Sequence, residues 1–386
     1  MITRIAENKL KQLSETFKGV CLTGPRQSGK TTLVKSLFSD KPYVSLENPD
    51  TKRFAIEDPR GFLEIYKHGA ILDEIQKVPE LFSYLQEVFD NTKKKGLFIL
   101  TGSNNFLLQQ SISQSLAGRI ASHVLLPFSI DELNRGNWLD EDDNNLILHG
   151  FYPPVYDQSI PPTDWYPNYI STYIEKDVRQ LKNITNLRTF ERFLSIVAGR
   201  CGQELNMSSI SNETGIDVKT VQSWISILES SYIIYLLKPH HKNFNKTVVK
   251  RSKLYFYDTA LAASLLGITS ISQLITHPLR GALFENMVIS EFVKYKSNPA
   301  LSLNLYYWRD KAGHEIDLII DIRGNLIPVE IKSAKTITTD FFKNIKYWQN
   351  LSGQKKSYLL YAGDQQQKWS SGTEVFNWRA FEKILK

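Results

Sequence analysis

Short apolar runs separated by helix-period segments dominate the first 130 residues of the chain. Gly19-Val20-Cys21-Leu22-Thr23, Ala70-Ile71-Leu72, Leu97-Phe98-Ile99-Leu100 and Ile120–Leu126 each read as a buried strand. Leu33, Val34 and Leu37 recur at helical spacing and predict a helix over Thr31–Phe38, and a second helical stretch closes at Leu116. Alternation of strands and helices implies a parallel sheet with helices on both faces. Residues 134–168 look like a linker: Asp140–Asp143 are acidic, and Pro153, Pro154, Pro161 and Pro162 oppose regular structure. A helical stretch follows from about Tyr169 to Gly199. Met207–Ile216 then reads as a short helix stopped at Gly215, Asp217 as the cap of a helix over Val218–Leu228, and Ser231–Leu237 as a strand. Helix, turn, helix and strand in that order predict a winged helix. Further on, two apolar-rich strands flank a turn at Arg323-Gly324-Asn325, after a helix-like Phe284–Phe292. The expected architecture is α/β in three parts. A parallel sheet with flanking helices fills 1–135. A linker, helical segment and winged helix fill 136–240, and an α/β domain fills 241–386.

The loop after the first strand carries the strongest chemical signal. It reads Gly24-Pro25-Arg26-Gln27-Ser28-Gly29-Lys30-Thr31-Thr32, the G-x-x-x-x-G-K-[ST] pattern that binds a nucleoside triphosphate. Its glycines let successive backbone N–H groups turn toward the phosphates. Lys30 is placed for the β- and γ-phosphates and the Thr31 hydroxyl for Mg²⁺. The positive end of the following helix faces the anion.

Two further strand ends complete this chemistry. Ala70-Ile71-Leu72 ends in Asp73-Glu74, which predicts Asp73 as a second holder of Mg²⁺ and Glu74 as the carboxylate that polarises attacking water. Leu97–Leu100 runs into Thr101-Gly102-Ser103-Asn104, where Ser103 or Asn104 is placed to sense the γ-phosphate. Arg119 falls between a helix and a strand. It reads either as an arginine finger for a neighbouring subunit or as a surface arginine.

These residues, with Leu72-Asp73-Glu74-Ile75-Gln76, Leu100-Thr101-Gly102-Ser103 and Leu116-Ala117-Gly118-Arg119, resemble the prokaryotic AAA_14 ATPases of the AAA+ type. The resemblance implies ATP as ligand, hydrolysis as activity, ring-like homo-oligomers and a C-terminal DUF4143 region.

In the last third, Glu315–Lys332 supplies a second constellation. Period-two geometry puts Glu330 and Lys332 on one face of their strand, and folding about Arg323–Gly324 brings Asp317 opposite Glu330. Two carboxylates and a lysine, with Glu285 from the preceding helix, are the components of a Mg²⁺-dependent phosphodiesterase. Together they resemble the PD-(D/E)xK nuclease fold, which implies an α/β restriction-endonuclease-like domain over 241–386, although Ile316 stands where that pattern has proline. Tyr307-Trp308-Arg309 and Val329-Glu330-Ile331-Lys332 resemble the end of a DUF4143 region.

Charge adds a partner class. The net charge is +7, but residues 238–386 carry +10 and the remainder −3. Lys238, Lys242, Lys246, Lys250, Arg251 and Lys253 cluster without an acid, with His240, His241 and Phe244 between them. This suits DNA or RNA phosphates, or simply a solvated loop. The second helix of the expected winged helix offers Lys219, Thr220, Gln222 and Ser223, suited to DNA or to a protein partner. Three functions therefore stand: an ATPase driving a DNA-associated module, an ATP-controlled nuclease, and a nucleotide switch for a protein partner. No apolar run reaches membrane-spanning length, and the N-terminus lacks a signal-peptide core. Two cysteines, Cys21 and Cys201, cannot form a disulfide framework, which suits a reducing cytoplasm.

Overall fold

The structure is a computed structural model, described here for residues 2–103, 115–173, 186–240, 250–297 and 303–385. Its N-terminal part is built on five parallel strands: β1 (Gly19–Thr23), β2 (Tyr43–Ser45), β3 (Ala70–Asp73), β4 (Phe98–Gly102) and β5 (Ile120–Val124). Their order across the sheet is β2-β3-β4-β1-β5. Every residue of β1, β3 and β4 is buried, which explains their near-continuous apolar runs. Separate apolar clusters cover the two faces, one around Phe62, Phe82 and Phe89 and one around Leu10, Leu33 and Val34. β4 lies between β1 and β3. The ends of all three strands therefore meet at one edge, where the P-loop begins.

The stretch 134–168 is not an irregular linker. It contains helices at Asp143–His149, Pro153–Asp157 and Pro162–Tyr169. The prolines that oppose a helix interior stand here in first turns. A helix start has no intrahelical use for the missing N–H, and the fixed φ suits it. Asp142 caps the first of these helices through the Asn144 N–H.

Beyond this lie helices at Leu187–Ala198, Met207–Thr214 and Val218–Ser230, followed by the antiparallel pair β6 (Ile234–Leu237) and β7 (Lys253–Phe256). Gly215 adopts a left-handed conformation at the end of the Met207–Thr214 helix, and the Asp217 side chain accepts from the Thr220 N–H to start the next. The C-terminal part is a mixed six-stranded sheet. It comprises β8 (Asn304–Arg309), β9 (Glu315–Ile322), β10 (Asn325–Lys332), β11 (Ser357–Tyr361), β12 (Gln367–Lys368) and β13 (Thr373–Asn377), in the order β12-β13-β11-β10-β9-β8. The long helix Arg280–Ser297 precedes it. One apolar core runs from Phe128 through Trp224 and Phe256 to Trp378, so residues on either side of position 240 share it. No described helix is long and apolar enough to cross a membrane.

The N-terminal segment anchors the P-loop from below. Arg4 is 6 % exposed and its guanidinium meets Glu132, fully buried, at 2.9 Å. The same group donates to the carbonyls of Ser28 at 2.8 Å and Leu126 at 2.6 Å. Glu132→Ala should strand a buried cation and destabilise the fold by about 3–5 kcal/mol, read as a lower urea midpoint. The Arg4→Met/Glu132→Ala double variant should recover part of that loss. An unchanged midpoint in the single variant would contradict this account.

Candidate functional site

The P-loop leaves β1 under tight steric control. Gly24 has φ 145°, and a Cβ there would lie 2.1 Å from the Leu125 carbonyl oxygen. No other residue fits so close a backbone approach. Gly29, at φ 91°, turns the chain into the helix Lys30–Leu37. Thr31 and Thr32 thus fall in its first turn, beside the unpaired N–H groups.

Lys30 is 5 % exposed and donates to the carbonyls of Gly24 at 3.0 Å and Pro25 at 2.7 Å. Burial pulls its pKa down to about 8, against the opposing pull of Glu74 and Asp73. Asp73 ends β3 and accepts from Thr31 Oγ1 at 3.1 Å and from the Tyr43 hydroxyl at 2.7 Å. Thr101, in β4, donates to the same carboxylate. Glu74 has φ 55°, which turns its side chain away from the strand direction. Ser103 Oγ donates to its Oε2 at 3.1 Å, and Gln76 donates to the same oxygen. A hydroxyl and a carboxylate facing each other fit a hard divalent cation. Thr31 and Asp73 are the residues that would hold it.

The structure thus brings together Lys30, Thr31, Asp73, Glu74 and Ser103. Asn104 lies outside the described residues. Arg26 reaches toward Glu47 at 3.7 Å, and its guanidinium lies 5.3 Å from the Tyr173 ring centre. Ser28 is fully buried.

Arg119 stands elsewhere. β1 and β5 pair from Gly19↔Ile120 to Thr23↔Val124, so Arg119 sits where the strands begin and the P-loop where they end. Five residues of strand separate these edges, roughly 16 Å. Arg119 is held there by Asp90, at 2.6 Å and 2.9 Å.

Sequence reasoning missed Tyr43, Thr101 and Gln76, and the opposite wall of the cavity. Thr101 was legible as a polar residue at the end of an apolar run. The wall was not. Pro153, Asp157, Trp165, Tyr169 and Thr172 face the P-loop across a cavity of about 560 Å³. Trp165 Nε1 donates to Gln27 Oε1 at 3.1 Å, and the Trp165 and Tyr169 rings stack at 4.8 Å. Below the loop, the Tyr232 hydroxyl and Thr23 Oγ1 hydrogen bond at 2.8 Å.

The second constellation also forms, but with different partners. β9 and β10 pair with Val329 opposite Leu318, which puts Glu330 level with Asp317. Lys332 Nζ donates to Glu330 at 2.7 Å and to Asp317 at 3.5 Å. Asp317 also accepts from the Ile331 N–H at 2.8 Å. Burial, then the Asp317 charge, pushes the Glu330 carboxyl up to about 8. Glu285 accepts from Lys253 at 3.1 Å and from Tyr255. Among the described residues, no three Asp, Glu, His or Cys side chains are grouped to hold a metal ion. Lys332 stands between Asp317 and Glu330, and Lys253 beside Glu285.

The buried state of Lys30 sets a pH dependence. A bound triphosphate favours charged Lys30 and raises its pKa above the free value of about 8. Binding above that value must therefore take up a proton. Affinity for ATP should fall by up to about tenfold per pH unit above 8. Titration calorimetry across that range checks it, and a flat profile to pH 9.5 would contradict it.

Comparison with known proteins places these sites in domain families. Residues 16–134 match the AAA domain model AAA_14, residues 140–272 the domain of unknown function DUF8612, and residues 280–381 the domain of unknown function DUF4143. An uncharacterized protein of Mycobacterium tuberculosis is 29 % identical over 339 residues, covering 86 % of this chain and 74 % of its own. One from Haemophilus influenzae is 21 % identical over 304 residues, covering 69 % and 74 %. Among solved structures, the Walker-type ATPase of Pyrococcus abyssi is similar at 17 % identity and TM-score 0.47, over 67 % of this chain and 94 % of its own. AMPPCP-bound DnaA from Aquifex aeolicus has 15 % identity and TM-score 0.31, over 58 % and 86 %. The chain is thus similar to an AAA domain at its N-terminal end and to a DUF4143 region at its C-terminal end.

Proposed function

We propose that this protein binds and hydrolyses ATP and passes its nucleotide state to a DNA-associated C-terminal module. The observation that carries the reading is the convergence of Lys30, Thr31, Asp73 and Glu74 on one cavity beside an AAA-type P-loop. On binding, Lys30 exchanges the Gly24 and Pro25 carbonyls for the β- and γ-phosphates. Loop N–H groups from Gly24 to Thr32 cradle the phosphates. Thr31 and Asp73 would hold Mg²⁺, which supplies positive charge against the phosphate oxygens. Glu74 orients the attacking water, and Ser103 and Gln76 hold its carboxylate in place.

Three features support the coupled output. Trp165 and Tyr232 tie the loop and its strand to the middle region. The helix pair and the β6–β7 pair have the order of a winged helix. The +10 charge of residues 238–386 suits a polyanion. Arg119, at the far edge of the sheet, would serve a neighbouring copy as an arginine finger only after release from Asp90. Buried free Cys21 and Cys201 suit a reducing cytoplasm.

A second reading, an ATP-controlled nuclease, is favoured by the helix–β8–β9–β10–helix–β11 order around Asp317, Glu330 and Lys332. The third, a switch for a protein partner, rests on the sparse basic residues of the helix Val218–Ser230.

ATP turnover with and without single- and double-stranded DNA or RNA, scored for cleavage in the same tubes, separates them. Lys30→Ala should abolish turnover. Glu74→Gln should retain ATP binding and lower turnover by about 10²-fold or more. Turnover stimulated by nucleic acid and lost at high salt supports the first reading. Normal turnover in Lys30→Ala would sink the ATPase assignment.

A further inference from the structure

Asp73 draws one of its donors from outside the P-loop and the central strands. Tyr43 opens β2, the edge strand of the N-terminal sheet. β2 and β3 pair with Tyr43 level with Ile71 and Ser45 level with Asp73. The Tyr43 side chain therefore reaches forward along the edge, and its hydroxyl donates to Asp73 Oδ2 at 2.7 Å. Backbone hydrogen bonds fix the two strands on either side of this contact. The Ile71 N–H donates to the Pro42 carbonyl at 2.9 Å and the Leu46 N–H to the Asp73 carbonyl at 3.0 Å. The Lys35 ammonium, from the helix Lys30–Leu37, lies 3.5 Å from the centre of the Tyr43 ring and holds it in place.

Core packing does not explain this tyrosine. It is 37 % exposed, while Val44, the next residue, is buried in the apolar cluster. Its hydroxyl has a distinct task, because the three hydroxyls around Asp73 are not equivalent. Thr31 has one proton to share between Oδ1 at 3.3 Å and Oδ2 at 3.1 Å. Thr101 donates to Oδ1 and accepts from the Glu74 N–H at 3.3 Å. Among the described residues, Tyr43 is thus the donor dedicated to Oδ2. A carboxyl group turns easily about its last side-chain bond. A donor on each oxygen fixes its plane, and a donor on one alone restrains it less.

We propose that Tyr43 is the positioning residue for Asp73, and that its hydroxyl sets how strongly Mg²⁺ adds to nucleotide binding. The inference rests on the ATP reading and on Thr31 and Asp73 as the residues that would hold Mg²⁺. Groups that orient a metal-holding side chain govern metal affinity nearly as firmly as the holders themselves. Lys30, Thr31 and Asp73 line the nucleotide cavity and Tyr43 does not. Its influence on ATP therefore passes through Asp73, and the edge strand enters the chemistry by one hydroxyl.

The test measures ATP affinity of the full chain by titration calorimetry, once in Mg²⁺ and once in EDTA, and takes the ratio as the gain from the metal. Tyr43→Phe keeps the ring and its contact with Lys35 and removes only the hydroxyl. It should bind ATP in EDTA as the parent chain does and lose about tenfold of the gain from Mg²⁺. Its melting temperature without nucleotide should stay unchanged, because the hydroxyl of an exposed edge residue carries little of the fold. An unchanged or larger gain from Mg²⁺ in Tyr43→Phe overturns the proposal. So does an equal loss of affinity in EDTA, the mark of a general disturbance of the site, or a parent chain to which Mg²⁺ adds nothing. A parent chain that binds no ATP in either condition sinks the ATP reading itself, and this inference with it.

Discussion

Parallel pairing of β4 with β1 on one side and β3 on the other is the constraint on which the nucleotide site depends. Each strand alone presents one or two polar residues at its end. Only this order sets Thr101 and Ser103 between the P-loop and Asp73-Glu74. Lys30 is buried there against its own loop carbonyls. Burial depresses its basicity, and a triphosphate restores the charge by pairing with it. The same desolvation strengthens the attraction between lysine and phosphate.

The two carboxylate centres of the chain are built on opposite electrostatic principles. Asp73 is surrounded by neutral hydroxyls from Thr31, Tyr43 and Thr101. These hold its orientation by hydrogen bonds alone. Asp317, Glu330 and Glu285 are instead faced by Lys332 and Lys253. Their charge is already met from within the protein. One carboxylate is met by neutral donors and the others by ammonium groups.

Between these centres the middle region acts as structure, not as a spacer. Its helix Pro162–Tyr169 walls the nucleotide cavity, and its β7 delivers Lys253 to the C-terminal sheet. Its apolar residues share one core with the C-terminal strands. A fully buried contact, Glu291 accepting from the Ile130 N–H at 2.9 Å, joins the helix Arg280–Ser297 to the chain that follows β5. A close-packed core transmits displacement instead of absorbing it. Movement at the P-loop therefore has a packed route to the last third of the chain.

Strand and loop chemistry that is local was legible in the amino-acid order. Gly24, Gly29, Lys30 and Thr31 follow from the steric and hydrogen-bonding demands of one tight loop. Asp73, Glu74 and Ser103 follow from polar residues ending apolar runs. The β9–β10 register is set by a short turn, so Asp317 and Glu330 could be paired in advance. Prolines misled, because the same ring that breaks a helix interior suits its first turn, and only the tertiary fold decides which applies. Residues that act across long sequence separation left no periodic signal: Arg4 with Glu132, Trp165 with Gln27, Tyr232 with Thr23, and Lys253 with Glu285 and Glu315. Each pair is chosen by packing between elements, not by spacing along one. The amino-acid order alone thus determined the nucleotide chemistry. Tertiary structure decided what walls that site and which cations meet the distant carboxylates, because those contacts arise only when separate segments share a buried interior.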